Sequence, residues 1–449
     1  MVSAIVTLIV AGRSHAEPYL AVREGLQCSA CHVNRTGQGM RTAYGVEYAE
    51  TILTMITPPD SLPLMRQASQ EFTIGVDFRI QNHTNFKRDQ VDPPRHLNAN
   101  SFLIDEAKIY GQVTLVSNLL TFYISEQIAP QPTGSREIAG IISGLPWNGY
   151  LKAGQMYLPY GLRVWDRDSF ILSRTGILES DFGFEVGMEK GAFSLNTAVM
   201  NADPLVARDI NTAKQVAARL TYASRHFWGG GSFNFNGKAQ VMGGGFFGFS
   251  YGPVTILHET DILRLDRGFL PVKATQIISY GELNILIKKG FNFKAAVDYY
   301  DPDGVPDPGL IVADKQTRFR FGIEPFITPF FQTRLFYTLN RRKIRISDCD
   351  IQTGDDCIVL LGDSRDVNIT NCKFTTTETA LMISGVRNLT FSNCTIHDAG
   401  CGIGFRVWND IVVDGVRIDN IVMDVSDKFD TGGIFYRERG LAKSIRTLR

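Results

Sequence analysis

Ala107-Lys108-Ile109-Tyr110-Gly111-Gln112-Val113-Thr114-Leu115 alternates without a break. Ala107, Ile109, Gly111, Val113 and Leu115 fall on one side, and Lys108, Tyr110, Gln112 and Thr114 on the other. Successive side chains of an extended chain point to opposite faces, so the stretch is a strand with one apolar and one polar face. Ser117-Asn118 then supplies a turn, and Leu120, Phe122 and Ile124 return against Thr121, Tyr123 and Ser125. The same unit recurs far along the chain. Leu283, Ile285 and Ile287 run into Lys289-Gly290 and come back as Phe291, Phe293, Ala295, Val297 and Tyr299, opposite Asn292, Lys294 and Asp298. Later, Phe319, Phe321 and Ile323 alternate with Arg318, Arg320 and Glu324.

This rhythm of segments of about ten residues, split by turn residues, fills the chain from Glu71 to Tyr337. A soluble sandwich also alternates, but its strands are shorter and its polar faces carry fewer charges. Strands of about ten residues match a tilted membrane crossing, and a closed ring leaves no unpaired backbone in lipid. The fold class is therefore mainly β, with an antiparallel transmembrane β-barrel of about fourteen strands over residues 67–340. Its immediate partner is outer-membrane lipid. Lysine plus arginine equals aspartate plus glutamate, at 46 each among 449 residues, so no net field favours nucleic acid. Abundant glycine (42) and phenylalanine (29) suit a turn-rich β protein and exclude disorder.

The apolar run from Val2 to Ala11, followed by Ser14-His15-Ala16, has the length of an export signal rather than of a spanning helix. Residues 1–16 are expected to be removed, which places the rest of the chain outside the cytoplasm. Just behind lies Cys28-Ser29-Ala30-Cys31-His32. Two thiols three positions apart with a histidine after the second form the attachment spacing of c-type haem: thioethers from Cys28 and Cys31, and an axial nitrogen from His32, the metal ligand. The bland alternative is a redox or metal-binding cysteine pair. The next cysteine is Cys349, so the pair stands alone in its region. Gly37 and Gly39 would let the backbone approach a porphyrin, and Val46 to Met55 reads as a short helix. Met40, His83, His96, His226 and His258 are the residues from which a second axial ligand could come.

Residues 17–66, with Tyr19-Leu20-Ala21-Val22-Arg23-Glu24 ahead of the motif, resemble the haem-bearing N-terminus of a group of bacterial porin-like outer-membrane proteins. The stretch Gly149 to Gly161 is similar to porins of the phosphate-selective type. These resemblances imply an exported protein of the bacterial outer membrane with its haem segment in the periplasm. Electron transfer with a periplasmic redox partner, passage of a solute, or both would be its work.

Near Arg341 the rhythm changes to a repeat of 22 or 23 residues. Ile346, Ile369, Phe391 and Val413 form one ladder, Cys349, Cys372, Cys394 and Val416 a second, and Ile358, Leu381 and Ile403 a third. Equivalent residues stacked once per coil predict a partial right-handed parallel β-helix over 341–449, with the cysteines as small core residues. Around Thr353-Gly354-Asp355-Asp356-Cys357-Ile358, residues 341–427 resemble glycoside hydrolase family 28, the polygalacturonases. That likeness implies a pectic polysaccharide as substrate, Asp355 as the acid, Asp356 as part of the base, and Arg406 as a substrate-binding cation. The family's further aspartate and histidine are replaced by Phe336-Tyr337-Thr338-Leu339 and Thr379. Two other readings therefore stand beside the haem barrel: a secreted pectin hydrolase, and a chimeric reading frame with no joint function.

Overall fold

The computed structural model describes residues 2–7, 17–57, 71–87, 96–130, 132–164, 169–177, 179–202, 212–237, 240–266, 273–302, 315–329, 331–347, 349–353, 357–408, 413–425 and 434–439. The chain divides into two compact units, one of Met1–Tyr300 with Thr317–Asn340, the other of Asp301–Gln316 with Arg341–Arg449.

The first unit is a long antiparallel array. After β1 (Val2–Thr7) come β2 (Phe72–Lys87), β3 (His96–Val116), β4 (Leu120–Ala129), β5 (Gly134–Leu145), β6 (Gly149–Tyr157), β7 (Ser180–Lys190) and β8 (Phe193–Asn201). Then follow β9 (Lys214–Ala223), β10 (Phe227–Asn236), β11 (Gln240–Tyr251), β12 (Val254–Asp266), β13 (Lys273–Lys288), β14 (Phe291–Asp301), β15 (Lys315–Thr328), the short β16 (Phe331–Gln332) and β17 (Arg334–Ser347). From β2 to β13 each strand pairs antiparallel with its neighbour in sequence. The expected hairpin is present as β3 and β4, with Gly111 opposite Ile124, Val113 opposite Phe122, and Asn118 at φ +58° in the turn. β1, which falls within the expected export run, pairs antiparallel with β2 on one side and β17 on the other. The expected cleavage site Ser14-His15-Ala16 lies outside the described residues.

At one end of the array the strands are joined by tight turns of two or three residues, 117–119, 146–148, 191–192, 224–226, 252–253 and 289–290. At the other end the connections between strands are more varied, from 237–239 to the long 158–179, which carries a short helix.

The two faces of the array invert the order of a soluble protein. Phe122, Phe184, Phe233, Phe249, Ile262 and Phe321 are exposed, whereas Lys108, Glu137, Lys152, Glu185, Arg219, Asp298 and Glu324 are buried. Exposed apolar belts of this extent mark a hydrophobic environment. Phe184, in the middle of β7, is 62% exposed, so Phe184→Arg tests that environment. In lipid the change should cost about 2–4 kcal/mol in a denaturant titration of detergent-refolded protein, where in water it would be neutral.

The N-terminal segment lies against the buried face. Pro18–Glu24 forms α1, ended by Gly25 at φ +66°, and Cys28–Cys31 forms α2. Thr42 caps α3 (Ala43–Tyr48) by accepting a hydrogen bond from Gly45 N at 3.1 Å, which starts the helix three residues earlier than expected. A π-helical turn, Ala49–Leu53, continues it. Tyr19 and Val22 pack in one cluster with Trp228, Phe246, Leu257 and Tyr280; Met40 packs with Tyr110, Tyr123 and Tyr150; Leu53 packs with Phe326. These wall residues come from strands spread across the array, so its buried face curves around the segment.

In the second unit the pairing turns parallel. Its strands are β18 (Asp350–Thr353), β19 (Ile358–Thr370), β20 (Lys373–Thr376), β21 (Thr379–Ala399), β22 (Cys401–Trp408), β23 (Val413–Val425) and β24 (Ile434–Arg439). The ladder Ile358, Leu381, Ile403 is present and extends to Ile434. The other two ladders slip in their last step. Phe391 stands beside Ile418 and Cys394 beside Ile421, while Val413 and Val416 continue the row of Val386 and Leu389. The connection after β22 is longer than in earlier coils, and a neighbouring aliphatic row reproduced the expected period. Asn371, Asn393 and Asn420 hold the same left-handed corner of successive coils, at φ +57°, +53° and +52°. Asn420 Nδ2 donates to Asn393 Oδ1 at 2.8 Å, tying one coil to the next. The described cysteines form no disulfide, and Cys349, Cys372 and Cys394 are buried in the core.

Candidate functional site

α2 is a single turn, and it places Cys28 and Cys31 on one face, a turn apart. His32 follows in an extended conformation, its N–H donating to Cys28 O at 3.0 Å. All three line one partly open cavity of about 70 Å³, whose other walls include Leu20, Glu24, Gln38, Arg41, Tyr48, Leu162 and Arg163. Two glycines lie against the cysteines. Gly37, at φ +96°, lies over Cys28, where an added Cβ would come within 3.6 Å of Sγ. Gly45 abuts the Cys31 carbonyl so closely that any side chain would collide with it.

His32 is 9% exposed, and its Nδ1 is buried without a hydrogen-bond partner. Burial, reinforced by Arg41, holds the imidazole at about 3, far below its usual value. The ring is therefore neutral at physiological pH, the form that ligates a metal. Burial pushes the Cys31 thiol up. Reactive thiols of redox pairs have lowered values instead. Burial and then Glu24 also raise Tyr48, whose hydroxyl donates to Glu24 Oε1 at 2.9 Å. Two thiols on one face and a neutral imidazole with an unpartnered nitrogen, lining one partly open cavity, are the donor set that the haem expected from the motif requires.

The remaining ligand candidates are elsewhere. Met40 is buried among tyrosines and does not line the cavity. His226 Nδ1 lies 3.0 Å from Ser250 O, and His258 Nε2 lies 3.0 Å from Thr260 Oγ1. His83 and His96 are strand residues of β2 and β3.

The segment is fixed to the wall by long-range polar contacts. Glu17 is held by Lys294 at 2.8 Å and by Arg334, Arg23 Nη2 donates to Asn292 Oδ1 at 3.2 Å, and Gln27 donates to Ala192 O at 3.0 Å. Asn34 Nδ2 donates to Glu137 Oε1 at 3.0 Å, and Met55 N to Phe326 O at 2.8 Å. Several of these wall atoms, with the contact of Gly25 to Ser224 and Arg225, belong to the end of the tight turns. From the other end the connection after β6 turns inward. Tyr160 donates to Asp261 Oδ1 at 2.8 Å, Leu162 N donates to Glu259 Oε2 at 2.9 Å, and Leu162 and Arg163 reach the cavity. Arg163 carries no local signal in the sequence; only the fold brings it to Cys28.

Asp355 and Asp356 lie outside the described residues. Arg406 stands in β22 beside Arg437 of β24, and the buried Thr379 opens β21.

Residues 335–437 match the family described as Right handed beta helix region. No curated protein matches the chain. Among solved structures it is similar to the outer-membrane expressed OmpT of Vibrio cholerae, at 11% identity and a TM-score of 0.44, over 62% of this chain and 89% of that one. It is also similar to the anion-selective porin from Comamonas acidovorans, at 11% identity and a TM-score of 0.41, over 60% of this chain and 100% of that one.

Proposed function

We propose that the first unit is a closed outer-membrane barrel carrying one covalent haem inside its periplasmic mouth, and that it passes electrons rather than solutes. β1, β2 to β15 and β17 make sixteen strands, the even number that antiparallel closure requires, and because β1 sits between β2 and β17 this closure needs residues 2–7 to be retained rather than removed with an export signal. The exposed apolar belt supports lipid contact, and the end with tight turns corresponds to the periplasmic end of such barrels. The observation that carries the reading is the cavity framed by Cys28, Cys31 and His32 on a segment enclosed by the wall.

When bound there, haem supplies a one-electron carrier. The chain's own residues do the rest. Cys28 and Cys31 anchor the group, and His32 presents a neutral nitrogen. Leu20, Leu26 and Leu162 keep water from the cavity, and Glu17, Arg23 and Asn34 lock the segment to the strands. Filled by this segment and by the inward connection after β6, the lumen is a poor solute channel. Access from the tight-turn mouth suits a periplasmic redox partner. Pectin hydrolysis is not part of this reading, because Thr379 stands where the resemblance requires a histidine.

The purified protein should keep a haem-stained band through denaturing electrophoresis, shift in mobility on heating, and give low conductance in planar bilayers. No covalent haem would end the electron-transfer reading; a large steady conductance would restore solute passage.

A further inference from the structure

Arg163 is buried, at 5% exposure, and lines the same cavity as Cys28, Cys31 and His32. Its partners among the described residues are all neutral: Thr36 Oγ1, Gln38 Oε1 at 3.4 Å, and the face of Tyr157, 5.7 Å from its centroid. A buried guanidinium without a counter-charge is costly. The two wall carboxylates that act on it, Glu137 and Glu185, are committed elsewhere. Glu137 accepts from Asn34, and Glu185 pairs with Lys152 at 3.1 Å and accepts from Tyr150. The backbone of Arg163 sits at φ +53°, an unfavourable conformation for a residue with a long side chain. Such a conformation persists where the surroundings over-determine it, often at a ligand clamp. The missing partner is therefore an anion inside the cavity. Haem brings two carboxylates of its own.

We propose that Arg163 binds a propionate carboxylate of the haem, so that the inward connection after β6 holds the cofactor in addition to its covalent anchor. Arg41 lines the same cavity and adds a second positive charge. A planar fork of donors suits a carboxylate better than a point charge does. The inference rests on the haem reading above and deepens it. Glu17 and Glu24 are the carboxyls that line the cavity with Arg163 and Arg41; Glu17 is held by Lys294, and Glu24 accepts from Tyr48.

The test uses full-length protein in detergent, unmutated and as Arg163→Gln and Arg163→Lys, with heat-dependent mobility as the check of folding. Haem staining reports attachment, and spectroelectrochemical titration at several pH values reports the midpoint potential. Arg163→Gln should keep its covalent haem, while its potential moves negative and becomes more dependent on pH. Losing a positive charge favours the oxidised iron and eases protonation of the propionate. Arg163→Lys should fall between the two. Should the glutamine variant not fold, a smaller negative shift in Arg163→Lys supports the proposal, and an unchanged potential there overturns it. Covalent haem with the same potential and pH profile in the unmutated protein and Arg163→Gln overturns this inference alone. Absence of haem from the unmutated protein overturns both it and the reading beneath it.

Discussion

Cys28→Ala combined with Cys31→Ala should abolish the haem-stained band completely and leave the heat-dependent mobility of the barrel in place. The expectation of total loss follows from the chemistry, since the two thioethers are the covalent links and His32 contributes only a coordinate bond. The expectation of an intact barrel follows from packing. Both cysteines are only partly buried and line a cavity, with Cys28 packed at the margin of the core. Removing them forfeits little of the contact that makes truncations of a well-packed core cost several kcal/mol. His32→Gly separates the roles further: attachment should persist while the visible spectrum changes, because the anchor remains and the axial nitrogen is gone. A double-alanine protein that still stains would refute the assignment. A pair acting as a dithiol would instead yield a stain-free unmutated protein in which both thiols react with alkylating agents.

What was legible in the sequence was what depends on nearest neighbours. Alternation of period two is local, so the outward Ile109 and Leu115 and the inward Lys108 and Tyr110 could be assigned from a single strand. The spacing of Cys28, Cys31 and His32 is equally local. Placement of the N-terminal segment was not legible, because it is decided by pairs such as Glu17 with Lys294 and Asn34 with Glu137, far apart in the chain. Alternation marks the inward face as polar without saying whether water or protein meets it. Arg163 was missed for the same reason. The coil ladders failed at the opposite scale. A longer connection between Trp408 and Val413 moved the true partners of Phe391 and Cys394 to Ile418 and Ile421, and a second aliphatic row disguised the change.

Lys294→Met should be the most destabilising single change in the wall of the barrel. Lys294 Nζ lies 2.8 Å from Glu17 Oε2, 3.3 Å from Glu324 Oε1 and 3.5 Å from Glu282 Oε2. It also stands over the ring of Tyr19, 5.0 Å from its centroid. One ammonium thus joins α1 to three strands, β13, β14 and β15. Met keeps most of the volume and removes the charge, leaving three buried carboxylates with Arg334 as the nearest remaining cation. Breaking a buried pair by deleting one partner costs about 3–5 kcal/mol, because the other charge stays buried and uncompensated. The same change at Arg417 is the control. Its side chain is 67% exposed, and its partner Asp419, 3.1 Å away, is 58% exposed. An exposed pair of that kind is worth about 0–1 kcal/mol. Denaturant titrations of the two variants should therefore differ severalfold in lost stability, and the N-terminal segment of Lys294→Met should become sensitive to protease before the strands do. Equal losses would mean that water already solvates the carboxylates around Lys294, and the case for Glu17 as the anchor of the haem segment would fall with them.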